Sequence, residues 1–284
     1  MRTRIAFMLL IMCGCIACTP TVSNKAKILL DKATSHYSKG EYNTAKLLVD
    51  SIHTQFPRNI EERKKARILI FNIEYQETAR NLLYLDSIMP LVQQQWDSMA
   101  VDYVLLDTAY VEKKTYQHNV FQKQTPSTTL ICEVMETGDI NLISINAGNA
   151  RNHVAVKVSS NDVYADTKEV AVNNAYNNQF TDLGIQWEYV TFDKNNQGEV
   201  PGFIELYANQ NITVSLLGDR NYTYTLSRNN AKAIAASVQF ARQTVLYKQL
   251  QSEYKKSTDK LAWIETCSQL NHGSNAAPDG YIAL

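Results

Sequence analysis

The chain has 284 residues, with 28 Lys and Arg against 28 Asp and Glu, and so no net charge at pH 7 with its 5 histidines neutral. That balance, with no basic stripe carrying interleaved aromatics, argues against a nucleic-acid partner. The length suits one large domain or two modest ones, and beyond residue 18 only Cys132 and Cys267 remain, too few for a disulfide framework.

Arg2 and Arg4 form a basic start, and Ile5 to Met12 an apolar core. This pattern reads as an export signal over residues 1–18. The core is too short to span a bilayer, which takes about 20 apolar residues. Small residues precede both Cys15 and Cys18, and the stretch Cys15-Ile16-Ala17-Cys18 resembles the bacterial lipobox. The resemblance implies a lipidated cysteine that becomes the mature N-terminus. Cys18 is the expected site, because Thr19-Pro20-Thr21 opens a short tether over residues 19–24. Cys15 stands where that family usually has Leu, and it remains the alternative. A lipid anchor on the bacterial envelope follows from this reading, at the outer membrane and on its periplasmic or surface face. Cleaved soluble export and an uncleaved anchor stand beside it.

Residues 25–110 read as helical. Ile28, Leu29, Ala33, His36 and Tyr37 make a stripe that stops at Lys39-Gly40, and a second helix carries Ala45, Leu48, Val49, Ile52 and Phe56 before Pro57. The phrase GEYNTAKLLVDSIHTQFP resembles one tetratricopeptide repeat, a unit of about 34 residues. Ala33 and Ala45 match its small crossing positions, and Gly40 and Tyr42 match its turn. A third helix from about Glu61 carries Ala66, Leu69, Ile70 and Ile73, with Ala79 at a further small position. Asp86-Ser87 and Pro90 are expected to interrupt it before Leu91–Tyr103 resumes. The resemblance implies a protein- or peptide-binding scaffold; a capped helical hairpin without a ligand is the alternative.

Residues 116–226 change to period two and predict an antiparallel β domain, a sandwich or an open barrel. Leu130, Cys132 and Val134 alternate before the turn Glu136-Thr137-Gly138-Asp139, and Val154, Val156 and Val158 alternate further on. More strands are expected over Ile185–Phe192, Gly202–Ala208, Ile212–Leu217 and Asn221–Leu226, with Gly202–Ala208 central.

A long helix is predicted over residues 227–270, capped by Ser227 and followed by a flexible tail at 271–284. At about 1.5 Å per residue it would be on the order of 60 Å long. Ile234, Val238, Ala241 and Val245 mark one face. Tyr247, Leu250, Tyr254, Leu261 and Ile264 mark a second seam, interrupted by Ser257. A seam of roughly three heptads is at the lower edge of a coiled coil. Leu250, Tyr254, Leu261 and Ile264 are therefore the candidate partner-binding residues, for a protein partner or self-association. Coverage by the chain's own N-terminal helices is the competing reading. The fold class predicted is α+β.

Local sites are weaker. Asp193, Asn195, Gln197 and Gly198 resemble the start of a calcium loop, but Ile204 replaces the expected acid and a turn explains the run better. Tyr176, in an Asn-rich loop, and Trp187 are candidate residues for binding a glycan or peptide. Trp187, Tyr189, Tyr222 and Tyr224 alternate along two predicted strands, where core packing on one sheet face is the expectation and an aromatic platform for sugars or peptides the alternative. No histidine pair has metal spacing, and no nucleophile elbow, phosphate loop or dinucleotide fingerprint occurs. No cofactor is implied. The layout resembles uncharacterised lipoproteins of Gram-negative bacteria. It implies a non-catalytic tethered scaffold or adaptor, with a glycan- or peptide-binding β module next and an enzyme without a local signature last.

Overall fold

The computed structural model describes residues 22–106, 114–122 and 127–273. It has the α+β class, with helices at the N-terminus, antiparallel sheets in the middle and a long last helix. The chain divides into two compact units: one holds the chain up to Asn81 and from Ser257 onward, the other Leu82–Lys256. Among the described residues, the helices up to Asn81 and the last helix from Ser257 thus belong to one unit.

In the first unit, α1 (Val22–Ser38) and α2 (Tyr42–Gln55) pair across a turn at Gly40, whose φ of 75° favours glycine. The expected tether therefore ends at Val22, where helix begins. Ala33, Ala45, Val49, Ile52, Ala66 and Ile73 are buried in one cluster. Small residues at 33, 45 and 66 let the backbones approach closely. The helix α3 spans Ile60–Ala100 without a break, and its boundary residue Asn81 separates the portions assigned to the two units.

The expected interruption at Pro90 does not occur: Pro90 lies inside α3 on an exposed face. A proline there loses one backbone hydrogen bond, but the flanking Leu85 and Val92 are buried and hold the helix through it. The helix ends at Ala100, and Tyr103–Leu106 is already a strand, β1, inside the span predicted to be helical.

The second unit contains two sheets. β1 joins β2 (Thr115–His118), β3 (Thr129–Met135), β4 (Ile140–Gly148), β8 (Ile185–Phe192) and β7 (Asn177–Asp182) in the order β1-β2-β3-β4-β8-β7. The other sheet runs β10-β9-β5-β6, from β5 (Ala155–Ser160), β6 (Val163–Asp166), β9 (Thr213–Leu217) and β10 (Tyr222–Thr225). All pairings are antiparallel. Leu130, Leu142 and Phe192 of the larger sheet share one core with Val156, Val214 and Leu216 of the smaller. Alternation along each strand sends these side chains to the common interior, which makes the arrangement a sandwich. A one-turn helix, α4 (Asn119–Gln122), follows β2.

The strand expected over Gly202–Ala208 is a helix, α5 (Val200–Tyr207). Pro201 sits in its first turn, where a fixed φ favours helix and no N–H is needed. Val200, Ile204 and Ala208 fall four residues apart and are all buried, so helical spacing explains apolar residues that also alternate.

The last helix, α6, runs Arg228–Gly273, past the expected end near Leu270. Its start is as predicted: Asn230 N–H donates to Ser227 Oγ at 3.2 Å. Among the described residues, no helix is long and apolar enough to cross a membrane.

Candidate functional site

Two places gather chemistry: the face where α3 meets α6, and one end of the sandwich. In the second unit α3 and α6 run antiparallel through specific contacts. Trp96 Nε1–H donates to Thr244 Oγ1 at 3.0 Å, and its ring lies 5.6 Å from those of Phe240 and Tyr247. Gln243 Nε2 donates to Val92 O at 3.2 Å and to Gln95 Oε1 at 3.3 Å. In the first unit the same two helices meet again. Asn81 Nδ2 donates to buried Ser257 Oγ at 2.9 Å, and the Phe71 and Trp263 rings lie 5.8 Å apart.

These contacts place the predicted seam. Ile264 is buried at 3% exposure, Leu250 and Leu261 are half-buried, and Tyr254 is 37% exposed. Ser257, which interrupts the apolar pattern, is the residue that answers Asn81. Seam positions are therefore used, in part, against the chain's own third helix. A set of apolar side chains stays outside the pair: Tyr84 at 57%, Leu91 at 65% and Leu246 at 41%. Tyr84, Ile88 and Leu91 follow 4-3 spacing along one side of α3, and Leu246 and Leu250 lie four apart on α6. The Gln95–Gln243 bond extends both rows and puts them on the same side of the pair.

The β-domain candidates are not brought together. Tyr176 is half exposed in the turn before β7, and its carbonyl accepts the Thr191 N–H. Trp187 is only 9% exposed and packs with Ile143, Ile145 and Tyr189 on the outer face of the larger sheet. Because Tyr176 faces Thr191, about 13 Å of strand separates it from Trp187. Tyr222 and Tyr224 belong to the other sheet, so the four aromatics form no single platform. In the calcium-like loop, Asp193 Oδ1 is occupied by the Asn195 N–H and the Asn196 side-chain amide, an ordinary Asx turn before α5. Cys132 is buried, and burial pushes its thiol up to about 12; Cys267 is also a free, buried thiol. Cys18 lies outside the described residues.

The sandwich end holds a cluster that sequence reading missed. Ser144 on β4, His153 just before β5 and Glu188 on β8 are each 0% exposed. His153 Nδ1 lies 2.6 Å from Glu188 Oε2, and its Nε2 lies 3.1 Å from Ser144 Oγ. Glu188 Oε1 also accepts the backbone N–H groups of Arg151 at 2.6 Å and Asn152 at 2.8 Å. Burial alone would push the Glu188 carboxyl up. The hydrogen bond from His153 and then those from Arg151 and Asn152 outweigh it and hold the carboxyl down to about 2.

The order Ser–His–Glu is that of a nucleophilic triad, but the geometry serves a different end. All three side chains are sealed, and Ser144 sits on a regular strand rather than on an exposed turn, so no substrate carbonyl reaches its oxygen. The cluster instead fastens the loop between β4 and β5 to the larger sheet. Arg151 continues it: Nε donates to Asn146 Oδ1 at 3.2 Å, and the guanidinium lies 4.0 Å from the Tyr222 ring centre. Compared with known proteins, the chain stands without a guide: no family model, no curated protein and no solved structure matches it.

Proposed function

We propose that the protein is a membrane-tethered scaffold or adaptor lipoprotein of the bacterial cell envelope. It binds a protein partner through its helices and performs no catalysis. The observation that carries this reading is the apolar row left on one side of the α3–α6 pair, with Tyr84, Leu91 and Leu246 exposed beside half-buried Ile88 and Leu250. Rows of this spacing on two neighbouring helices form a groove that an amphipathic partner helix fills. The sealed state of Ser144, His153 and Glu188 supports a structural part for the only Ser–His–acid cluster among the described hydrogen bonds.

Leu91→Glu with Leu246→Glu is the direct test. Leu91 is mostly in water and Leu246 is 41% exposed, so the fold should stay within about 1 kcal/mol of the parent. Crosslinking in cells should lose the partner that the parent protein captures. Retention of that partner by a folded double variant would refute this use of the face. The anchor is tested separately: Cys18→Ala should move the protein from the membrane to the soluble fraction. Continued membrane retention with lipid on Cys15 would transfer the anchor to that residue.

A further inference from the structure

The sealed cluster builds something on its outer side. Beside His153 in the chain, Asn152 and Val154 line a cleft of about 610 Å³ with Glu169, Val172, Leu217, Gly218, Asp219 and Asn221. Asn152 lines it with φ of 51°, a left-handed conformation that a non-glycine residue adopts at a cost. The Asn152 N–H donates to Glu188, and its side-chain amide donates to Asp219 Oδ2 at 2.8 Å. Gly218 lets the two walls meet, for a Cβ there would stand 2.5 Å from Asn152 O and 2.6 Å from His153 Cα. Gly218 N–H in turn donates to Asn221 Oδ1. A strained residue is thus over-determined by a buried carboxylate below and a glycine turn beside it, and its carboxamide is fixed at the cleft.

The lining limits what would bind. The ionisable groups that line it are the exposed Glu169 and Asp219, and the neighbouring exposed Arg220 is not part of the lining, so the charge facing a ligand is acidic and disfavours phosphate and carboxylate ligands. The Arg151 guanidinium is held on Asn146 and Tyr222. Val154, Val172 and Leu217 give apolar surface; Asn152 and Asn221 supply carboxamides, and the two carboxylates supply acceptors. Hydroxyl donors in a row, on a ligand with an apolar C–H face, satisfy that combination. We infer that this cleft is a binding site for a neutral saccharide. The inference does not rest on the helix-face reading, and its test reads a different property.

The full chain, in a detergent without a sugar headgroup, is titrated with maltohexaose, cellohexaose, chitohexaose and xylohexaose, and separately with spermidine and calcium. At least one oligosaccharide should bind, and binding should be insensitive to salt. Glu169→Ala, at an exposed position, should weaken it roughly tenfold, the loss of one hydrogen bond to a charged group. Val172→Trp, also exposed, should fill the cleft and abolish it, while Tyr176→Ala should leave it unchanged. Binding of none of the four sugars, or of spermidine or calcium in their place, would overturn the assignment. So would sugar binding that both cleft variants retain, or that Tyr176→Ala removes.

Discussion

The sandwich end and the helix pair both bury polar groups, and they do so in opposite ways. At the sandwich end each member of the Ser144–His153–Glu188 cluster is fully enclosed, and Glu188 is met by a ring nitrogen and by backbone N–H groups. In the helix pair the polar contacts come as isolated layers, Asn81 on Ser257 and Trp96 on Thr244, while Leu91 and Tyr84 stay in water. A saturated buried network makes a region complete in itself. Isolated layers fix which residues face each other but leave apolar surface exposed beside them.

The sharpest way to break this comparison is Glu188→Ala. Removing the acceptor strands the buried His153 and the N–H groups of Arg151 and Asn152, which should cost about 3–5 kcal/mol in a denaturant titration. A loss below about 1 kcal/mol would mean that water reaches the loop and that the cluster is not sealed.

Acid should probe the same group next. Its folded carboxyl sits at about 2 against an ordinary 4.5. A depressed acid lends stability above its unfolded value and loses it as pH falls toward the folded one. On the order of 3 kcal/mol should therefore disappear between pH 4.5 and 2. That slope should be absent from Glu188→Ala; a parent protein flat over the window would contradict the account.

Asn81→Ala should cost less, about 1–2 kcal/mol, because it removes one neutral hydrogen bond to the buried Ser257 hydroxyl and leaves no buried charge behind. A cost equal to that of Glu188→Ala would erase the contrast between the regions. The smallest effect is a gain. Burial raises the Glu133 carboxyl on the outer sheet face, so its charge opposes folding once pH rises above the ordinary carboxylate value. Glu133→Gln should stabilise the protein at neutral pH by up to about 1 kcal/mol and leave it unchanged in strong acid.

Legibility in the sequence followed the range of the forces involved. Ser227 was readable as a cap because it acts over three residues, and the β3–β4 hairpin because its turn lies between two alternating runs. The apolar run around Pro201 misled because alternation and helical spacing coincide over so short a span, and the proline was the deciding clue. Pro90 misled in the other direction, since tertiary burial of Leu85 and Val92 overrides a local breaker.

The seam was legible as a pattern, and the chain's own N-terminal helices were one of its two expected partners, but the facing residue was not: nothing near Ser257 in sequence announces Asn81. Ser144, His153 and Glu188 come from separate elements, so no local motif joins them. A signal did exist, because alternation along β8 puts Glu188 on the same side as core residues Val190 and Phe192, an inward charge that demands a partner. The cleft was illegible for a plainer reason. It is made by backbone at Asn152 and Gly218, whose conformations single-residue chemistry does not specify.

The measurement that bears most directly on the central claim is a photo-crosslinking amino acid placed at Leu91 in the full-length protein in cells, with Gln93 as its control. Gln93 is also exposed and lies about 200° around α3 from Leu91. The account predicts one discrete protein adduct from position 91, lost when Leu246→Glu is added, and none from position 93. Equal labelling from both positions, or no adduct from position 91 in a folded protein, would contradict it.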